Sequence, residues 1–280
     1  MKKLITTFFL AVIATAAFAQ GGSKPASIDV MSYNIRYGDA KDGTNSWAYR
    51  LGATIEMIQD QKPDVIGLQE ALSYQMEFIK EYADGYKTVG VGRDDGKKKS
   101  EIMGIAYNTK TVKLSSWGTF WLSETPEKPS LGWDGACRRT ATWAIVKHKK
   151  SGKKIFFVNT HLDHVGAMAR QKGVELILEK IEKLNKDNLP VVVLGDMNAL
   201  QDDPILAPFE EKLRNTRRWA MKTDEGPTYN AWGHSESAQT IDHIYALGFA
   251  SCPVFQAVRK PYLERKFISD HYPVKATLIF

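Results

Sequence analysis

Residues 191–198 read VVVLGDMN, and this stretch decides how the chain is built. Its first four residues are apolar and mostly β-branched, a pattern typical of a strand that is buried on both faces. The run continues through Gly195 into Asp196 and Asn198, whose side chains share one side of a strand because they are two positions apart. Gly, Asp and Asn are also common turn residues, so the stretch taken alone slightly favours a turn. In open α/β sheets, however, ligand sites lie just beyond the carboxyl ends of strands.

Strand-like and helix-like segments alternate along the rest of the chain, without a linker or an internal repeat. Apolar residues at helical spacing predict helices near 50–61, 72–79 and 174–184. Apolar and alternating runs predict strands at 28–34, 65–70, 86–91, 102–108, 112–122, 140–148, 154–160, 191–195, 240–246, 252–258 and 273–279. The consecutive strands in the middle indicate a mostly antiparallel or mixed sheet system covered by helices. No shift in composition marks a boundary, so residues 20–280 are predicted to form a single domain.

The N-terminal sequence MKKLITTFFLAVIATAAFAQ has the three parts of a secretory signal. Lys2 and Lys3 provide the positive region, residues 4–16 the apolar region, and residues 17–19 (AFA) the cleavage signal. The apolar run is too short for an ordinary membrane span, and the rest of the sequence contains no second candidate. We therefore expect a signal peptide at 1–19 and a monomeric protein exported to the periplasm or the extracellular space, without stable membrane insertion. The alternative is an uncleaved anchor.

Positive charge is concentrated in three runs, which are Lys97–Lys99, the KHKKSGKK stretch at 147–154, and Arg214 with Arg217 and Arg218. Removal of the two signal-peptide lysines takes the formal net charge from +6 to +4. Such runs are usually solvated turns, but they are also compatible with a polyanionic partner such as a nucleic acid. The two cysteines, Cys137 and Cys252, leave both a disulfide and two free thiols open.

The polar ending of 191–198 recurs at other predicted strands. The residues concerned are, in chain order, Asn34, Glu70, His161 with Asp163 and His164, Asp196 with Asn198, Asp242, and Asp270 with His271. Asp242 differs from the others because it lies in the middle of its predicted strand, QTIDHI. Burying a carboxylate costs roughly several kcal/mol unless it meets a cation or another partner. A shared, hydrated cleft that holds a metal ion explains these residues together.

Oxygen donors dominate this set of polar residues, as in Glu70, Asp196 and Asp270. Hard oxygen ligands with little sulfur or imidazole suit Mg²⁺ or Mn²⁺ better than Zn²⁺. Such a metal clamps phosphate oxygens and stabilises developing negative charge. Two histidines with carboxylates available to orient them add the groups needed for acid–base chemistry or for a charged phosphate clamp.

The stretches MSYNIR, IGLQE, NTHLD, GDMN, TIDHI and SDHYPV follow one another in the order seen in a known group of proteins. They resemble the motifs of the endonuclease/exonuclease/phosphatase superfamily, which includes pancreatic deoxyribonuclease-like enzymes. The resemblance covers about residues 28–280, and YGDAKDGTNSWAYR with FWLSETPEKPSLGW further resembles a secreted bacterial branch. It implies an α/β fold, a four-layer α/β sandwich in which two mixed, mostly antiparallel β-sheets pack face to face with helices outside.

The resemblance also implies roles for individual residues. The metal ligands that it implies are Asn34, Glu70 and Asp270, and the catalytic residues are His161, Asp196, Asn198, Asp242 and His271. Among these, Asp196 would position or deprotonate the attacking water, and Asp242 would orient His271 against the scissile phosphate. Arg139, or in its place the neighbouring Arg138, matches a phosphate-contacting arginine of relatives. Tyr229 and Trp232 are substrate-binding candidates because aromatic loop residues stack on bases or sugars.

The predicted function is that of a secreted phosphoesterase, which uses Mg²⁺ (or Mn²⁺) to hydrolyse P–O bonds by metal-assisted attack of water. The substrate is a nucleic acid or a smaller phosphoester. One alternative is a zinc-dependent, metallo-β-lactamase-like hydrolase, indicated by THLDH, although Asn159 stands where the first histidine of that zinc motif belongs. The other alternative is a non-catalytic binding protein on the same fold. Every expected site position is occupied, which favours an enzyme.

Overall fold

Two six-stranded β-sheets form the centre of the computed structural model, which describes residues 25–280. The predicted signal peptide, residues 1–19, lies outside the described residues. The strands are β1 (Ser27–Asn34), β2 (Val65–Ala71), β3 (Tyr86–Val89), β4 (Ile102–Asn108), β5 (Val112–Trp121), β6 (Thr140–His148), β7 (Lys154–His161), β8 (Val191–Asp196), β9 (Arg214–Asn215), β10 (Asp242–Leu247), β11 (Ser251–Ala257) and β12 (Val274–Ile279). The helices are α1 (Trp47–Gln61), α2 (Ser73–Tyr82), α3 (Ala167–Leu184), α4 (Ala207–Lys212) and α5 (Thr216–Trp219).

The first sheet has the strand order β11-β12-β1-β2-β4-β3, and the second has the order β5-β6-β7-β8-β10-β9. In each sheet one central pair is parallel, β1 with β2 and β7 with β8, and the other pairs are antiparallel. Both sheets are therefore mixed and mostly antiparallel, as predicted.

Alternation along the strands divides the apolar residues among three cores. Val30 of β1 and Leu194 of β8 belong to the core between the sheets. Met31, the neighbour of Val30, packs instead with α1 and α2 on the outer face of the first sheet. Val193, the neighbour of Leu194, packs with α3 and α4 on the outer face of the second sheet. Helices, sheet, sheet and helices thus form four layers, and the predicted four-layer α/β sandwich is confirmed.

Some elements differ from their predicted bounds. The helix predicted from residue 50 begins at Trp47, and the strand predicted from residue 240 begins at Asp242. The short elements α4, α5 and β9 were not predicted, because two to six residues are too few for a helical or strand period to repeat. No helix in the described part of the chain is long and apolar enough to cross a membrane.

The basic runs lie on different parts of the surface. The Lys147–Lys154 run forms the β6–β7 hairpin, about 23 Å along β7 from His161, given a rise of about 3.3 Å per residue. Arg218 is ion-paired with Glu210 and Asp202. Lys97–Lys99 is exposed in the loop between β3 and β4. The two cysteines are free thiols, with Cys252 buried and Cys137 half-buried.

Candidate active site

The stretch 191–198 is both a strand and a turn. Gly195 adopts φ 152° within β8, and a Cβ atom there would lie 1.9 Å from the carbonyl oxygen of Thr160, so a side chain would push β7 and β8 apart. Asp196 ends β8 in register with His161 at the end of β7. The chain then turns at Asn198, which has φ 45° and donates its backbone N–H to Asp196 Oδ1 at 3.0 Å.

The Asp196 carboxylate joins the two sheets. Its Oδ2 accepts a hydrogen bond from Asn34 Nδ2, at the end of β1, over 3.0 Å. The same oxygen lies 3.4 Å from His161 Nε2 and 3.6 Å from His271 Nε2. Asn198 Nδ2 lies 3.0 Å from His161 Nε2 and donates to the carbonyl oxygen of Leu162 at 3.0 Å. The parallel strand pairs bring these groups to one edge of the sandwich, because their carboxyl ends lie there.

His271 is held by a second carboxylate. Its Nδ1 lies 2.8 Å from Asp242 Oδ2, and both side chains are buried. The Asp242 backbone N–H donates to Thr228 Oγ1 at 3.0 Å, which fixes the start of β10. Burial alone would lower the pKa of His271, but the carboxylates of Asp242 and Asp196 outweigh it and raise the pKa to about 10. His271 is therefore a fixed cation at neutral pH.

His161 has the opposite electrostatic environment. Burial lowers its pKa well below the ordinary value, and the Arg139 guanidinium and the His271 imidazolium lower it further. His161 is therefore neutral, and its Nδ1 has no hydrogen-bond partner among the described residues. Burial raises the pKa of Asp196, while the charge of His271 opposes this shift. The site thus places one neutral and one charged imidazole on either side of a buried carboxyl group.

Glu70 reaches the cleft through an irregularity in β2. The pairing of β2 with β4 shifts register between Leu68 and Ala71, and Glu70 adopts φ 59°. A left-handed conformation is unfavourable for a non-glycine residue and occurs where the surrounding structure enforces it. Glu70 Oε1 accepts from Asn34 Nδ2 at 2.9 Å, and Oε2 accepts from the Tyr37 backbone N–H at 2.7 Å.

Asn159 stabilises this irregularity from the opposite sheet. Its Nδ2 donates to the carbonyl oxygens of Leu68 at 2.9 Å and Gly104 at 2.7 Å, and its Oδ1 accepts from Gln69 Nε2 at 2.6 Å. Asn159 is fully buried, and Gly67 makes room for it, because a Cβ atom there would lie 2.7 Å from Asn159 Oδ1. The sequence pattern places Asn159 on one strand face with His161 and, in the zinc motif, where the first histidine belongs, but it does not predict this supporting role. The signal for this role was Gln69, an inward-facing polar residue beside Glu70.

The donor set fits a hard divalent cation. Ligand atoms of Glu70, His161 and Asp196 all lie within 4.8 Å of one another, as do those of Asp196, Asp242 and His271. Asp270 lines the same cleft, where burial and the charge of Glu70 raise its pKa, and its Oδ2 is 3.3 Å from Arg36 Nη1. Carboxylates crowded into one cleft repel one another and gain from a bound cation, and most of these donors are oxygens. Glu70 and Asp270, in the same cleft as Asp196, are therefore the carboxylates that would hold a divalent cation.

The predicted residues fall into three groups. Those that line a cleft of about 570 Å³ are Glu70, Arg139, His161, Asp196, Asn198, Tyr229, Asp270 and His271. Asn34 and Asp242 are buried behind it and contact lining residues through hydrogen bonds. Asn34 Oδ1 accepts from the Arg36 backbone N–H at 3.0 Å, so in this arrangement Asn34 orients Glu70 and Asp196. Trp232 lies outside the lining and packs on the Arg50 guanidinium, 5.5 Å from the ring centroid.

Three of the lining residues face the cleft from loops. The Tyr229 ring centroid is 4.9 Å from that of His271. Arg139 Nη2 is 3.1 Å from His164 Nδ1, and its Nε is 3.6 Å from Asp163 Oδ2. Arg93, which the strand-end pattern did not reveal, also lines the cleft and is paired with Glu101 at 2.8 Å.

Asp163 has a structural role. Its Oδ1 accepts from the backbone N–H groups of Val165 and Gly166 at 2.9 and 2.8 Å, and its Oδ2 accepts from those of Ala136 and Cys137 at 3.1 and 3.4 Å. A carboxylate committed to four N–H groups ties two loops together. This geometry does not favour the zinc-hydrolase alternative, in which Asp163 would be a metal ligand.

Comparison with known proteins agrees with the fold. The family model described as "Endonuclease/Exonuclease/phosphatase family" matches residues 31–271. The chain therefore belongs to this family, whose members are divalent-metal-dependent hydrolases that act on phosphoester bonds.

Solved structures of family members are similar over nearly the whole chain. An endonuclease/exonuclease/phosphatase family protein from Bacteroides thetaiotaomicron is 33% identical with a TM-score of 0.85, covering 92% of this chain and 99% of that chain. A mannosyl-6-phosphatase from the same organism is 33% identical with a TM-score of 0.84, covering 90% and 100% of the two chains. TDP2 from D. rerio, solved with a single-strand DNA product, shares the fold at 18% identity, with a TM-score of 0.71 and coverage of 91% and 100%.

Proposed function

We propose that this chain is an exported phosphoesterase that uses Mg²⁺ (or Mn²⁺) to hydrolyse the phosphate ester of a small sugar phosphate by attack of water. The observation that carries the proposal is the setting of Asp196. Its carboxylate accepts a hydrogen bond from Asn34 at 3.0 Å and lies 3.4 Å from the imidazole of His161 and 3.6 Å from that of His271. Export rests on the predicted signal peptide at residues 1–19.

We assign a different role in hydrolysis to each of the main residues of the cleft. A bound divalent cation would neutralise charge on the phosphate oxygens. Asp196 Oδ2 is placed to accept a proton from the attacking water, and Asn34 and Asn198 fix the orientation of its carboxylate. His271, kept charged by Asp242, stabilises the negative charge that develops on the phosphate. His161, whose Nε2 lies 3.4 Å from Asp196 Oδ2, is the group that can take from Asp196 the proton removed from water and pass it to the leaving oxygen.

Two observations support a small sugar phosphate as the substrate. The cleft, of about 570 Å³, is the size of an ordinary small-molecule site, and the Lys147–Lys154 hairpin lies at the far end of β7 from it. The similar Bacteroides thetaiotaomicron protein is a mannosyl-6-phosphatase. Tyr229 provides an aromatic face, and Arg139 provides a cation for the phosphate.

Phosphate release from mannose 6-phosphate tests the proposal. Wild-type mature protein in Mg²⁺ is expected to release phosphate, and His161→Ala is expected to lose activity by orders of magnitude while remaining folded. Equal release by both proteins would exclude the assigned site. No release by the wild type from any of a panel of sugar phosphates would exclude the substrate class.

A second candidate, DNA cleavage, is favoured by one observation. Lys97–Lys99 is exposed on the loop that begins near Arg93, and Arg93 lines the cleft. Nicking of supercoiled plasmid by the wild type in Mg²⁺, lost in His161→Ala, would establish a DNA phosphodiesterase. Absence of nicking by either protein would remove DNA endonuclease from consideration.

A further inference from the structure

A larger cavity adjoins the catalytic cleft. This side groove, of about 1040 Å³, is lined by Leu200–Asp202, Arg217, Arg218, Thr223, Glu225, Pro227 and Ala238–Thr240. Gln239 lines both the side groove and the catalytic cleft, so the two spaces are neighbours that share one wall. The backbone of Gln239 is held by Tyr229, with hydrogen bonds of 2.8 and 3.2 Å in the two directions. A substrate whose phosphate lies in the cleft therefore has an adjacent space for a larger alcohol portion.

Neither arginine of the side groove is an exposed, unpaired cation. Arg218 is paired with Asp202, and with Glu210 at 2.8 Å. Arg217 is buried: its Nη2 donates to the carbonyl oxygen of Gly226 at 2.8 Å, its guanidinium lies 5.7 Å from the Phe255 ring centroid, and its Nη1 has no hydrogen-bond partner among the described residues. A polyanion is bound mainly through free cationic groups that neutralise its phosphates. The side groove is therefore poorly suited to a nucleic acid strand.

The uncommitted groups of the side groove are amides, a hydroxyl and a carboxylate. Within the described residues, the side chains of Gln201, Thr223, Glu225 and Gln239 make no hydrogen bonds. Amide and hydroxyl groups both donate and accept hydrogen bonds, which suits sugar hydroxyl groups. Leu200, 53% exposed, adds an apolar surface beside them. Polar groups that are free to pair, next to an apolar patch, match the two kinds of surface that a sugar ring presents.

We infer that the side groove binds the neutral saccharide portion of a phosphorylated oligosaccharide whose terminal phosphate occupies the catalytic cleft. This inference rests on the proposed sugar-phosphate hydrolysis and names the substrate class more closely. Gln239, at the shared wall, contacts the phosphorylated sugar, and Gln201 and Thr223 contact the next units. The enzyme then acts on chain ends in preference to free monosaccharide phosphates.

The test compares kcat/KM for mannose 6-phosphate, a mannotrioside phosphorylated at C6 of its terminal unit, and a trinucleotide with a terminal phosphate. Two or more additional neutral hydrogen bonds correspond to a preference of about tenfold for the trioside over mannose 6-phosphate. The double variant Gln201→Ala/Thr223→Ala, and separately Thr223→Trp, which fills the groove, are expected to bring this ratio close to one. Gln171→Ala removes an exposed glutamine side chain on α3 and should leave the ratio unchanged.

The outcomes distinguish the inference about the side groove from the proposed phosphatase activity. Phosphate release with equal kcat/KM for the monosaccharide and the trioside would refute saccharide binding in the side groove but would still support the proposed phosphatase activity. A trioside preference that persists in both groove variants would also refute saccharide binding in the side groove. A higher kcat/KM for the trinucleotide than for the trioside would refute it as well. No release from either sugar substrate would refute the phosphatase itself, and with it the saccharide groove.

Discussion

The interface between the two sheets has an apolar half and a polar half, although both are built on the same strand faces. Along β7 the inward residues change from Phe157 to Asn159 and His161, and along β8 they change from Leu194 to Asp196. The register pairs polar with polar at the site end, His161 with Asp196 and Asp196 with Asp242. Further down, Phe157 pairs with Val192.

The two halves have different physical roles. The apolar half removes hydrophobic surface from water, at about 25 cal/mol per Å², and supplies stability. The polar half buries Asp196, Asp242 and His271, groups whose desolvation costs free energy unless each is paired. The apolar packing at one end of these strands therefore offsets the desolvation cost of the buried charged groups at the other end.

The largest expected effect is on activity, from His271→Ala in the polar half. Loss of the cation held by Asp242 is expected to lower kcat by about 10³-fold, the usual effect of removing a group that stabilises transition-state charge. Steady-state phosphate release measures it, with circular dichroism as the check of folding. His234→Ala, at a side chain 73% exposed and outside the cleft lining, is the control and should retain full activity. A kcat within tenfold of wild type in His271→Ala would show that the polar half is not the reactive one.

Asn159→Leu is expected to affect both stability and metal binding, because Asn159 lies at the boundary of the two halves. It leaves the carbonyl oxygens of Leu68 and Gly104 without their donor, which costs about 3 kcal/mol of unfolding free energy. Release of the irregularity in β2 also displaces Glu70, so Mn²⁺ affinity measured by calorimetry should fall at least about tenfold.

Asn185→Ala is the matched control for this variant. It removes hydrogen bonds of 2.9 Å to and from Leu189 after the end of α3, next to the start of β8, whereas the cleft lies at the other end of β8. It should lower stability without changing Mn²⁺ affinity. If Asn159→Leu lowered only stability, Asn159 would support the sheet interface and have no part in positioning Glu70.

Much of this division can be predicted from sequence, since a strand period of two places Asp196 and Asn198, or Asn159 and His161, on one face. The left-handed conformation of Glu70 cannot be predicted from sequence, because it depends on hydrogen bonds from Asn159 in another sheet. Asp242 was predicted within a strand because apolar Ile241 extends the pattern, yet β10 begins at Asp242, in register with Asp196. Trp232 carries no local sign that its ring packs on Arg50, a residue distant in sequence.

Ile244→Val tests whether a change in the apolar half affects stability alone. Ile244 is fully buried in the core between the sheets, two residues from Asp242. Loss of one methylene is expected to lower the unfolding free energy by about 1 kcal/mol and to leave kcat unchanged. Urea denaturation and phosphate release measure the two quantities. A large fall in kcat would mean that the halves are not separable.

The smallest effect is expected at Lys150→Ala in the hairpin at the far end of β7. Lys150 is exposed, and surface substitutions of this kind change stability by less than about 0.5 kcal/mol. Neither kcat/KM for sugar phosphates nor its dependence on salt should change. A clear loss of kcat/KM, greatest at low salt, would give the hairpin a part in substrate capture.

The central claim is that the polar half forms one divalent-metal site for phosphoester hydrolysis. It is tested most directly by a Mg²⁺ titration of chelator-treated wild type and Glu70→Ala, following phosphate release and the midpoint of thermal unfolding together. We predict that in the wild type both quantities rise over the same range of Mg²⁺ concentration, since the same bound cation supports activity and stabilises the fold. In Glu70→Ala neither should rise. Phosphate release that survives chelation, or that persists in Glu70→Ala, would contradict the account.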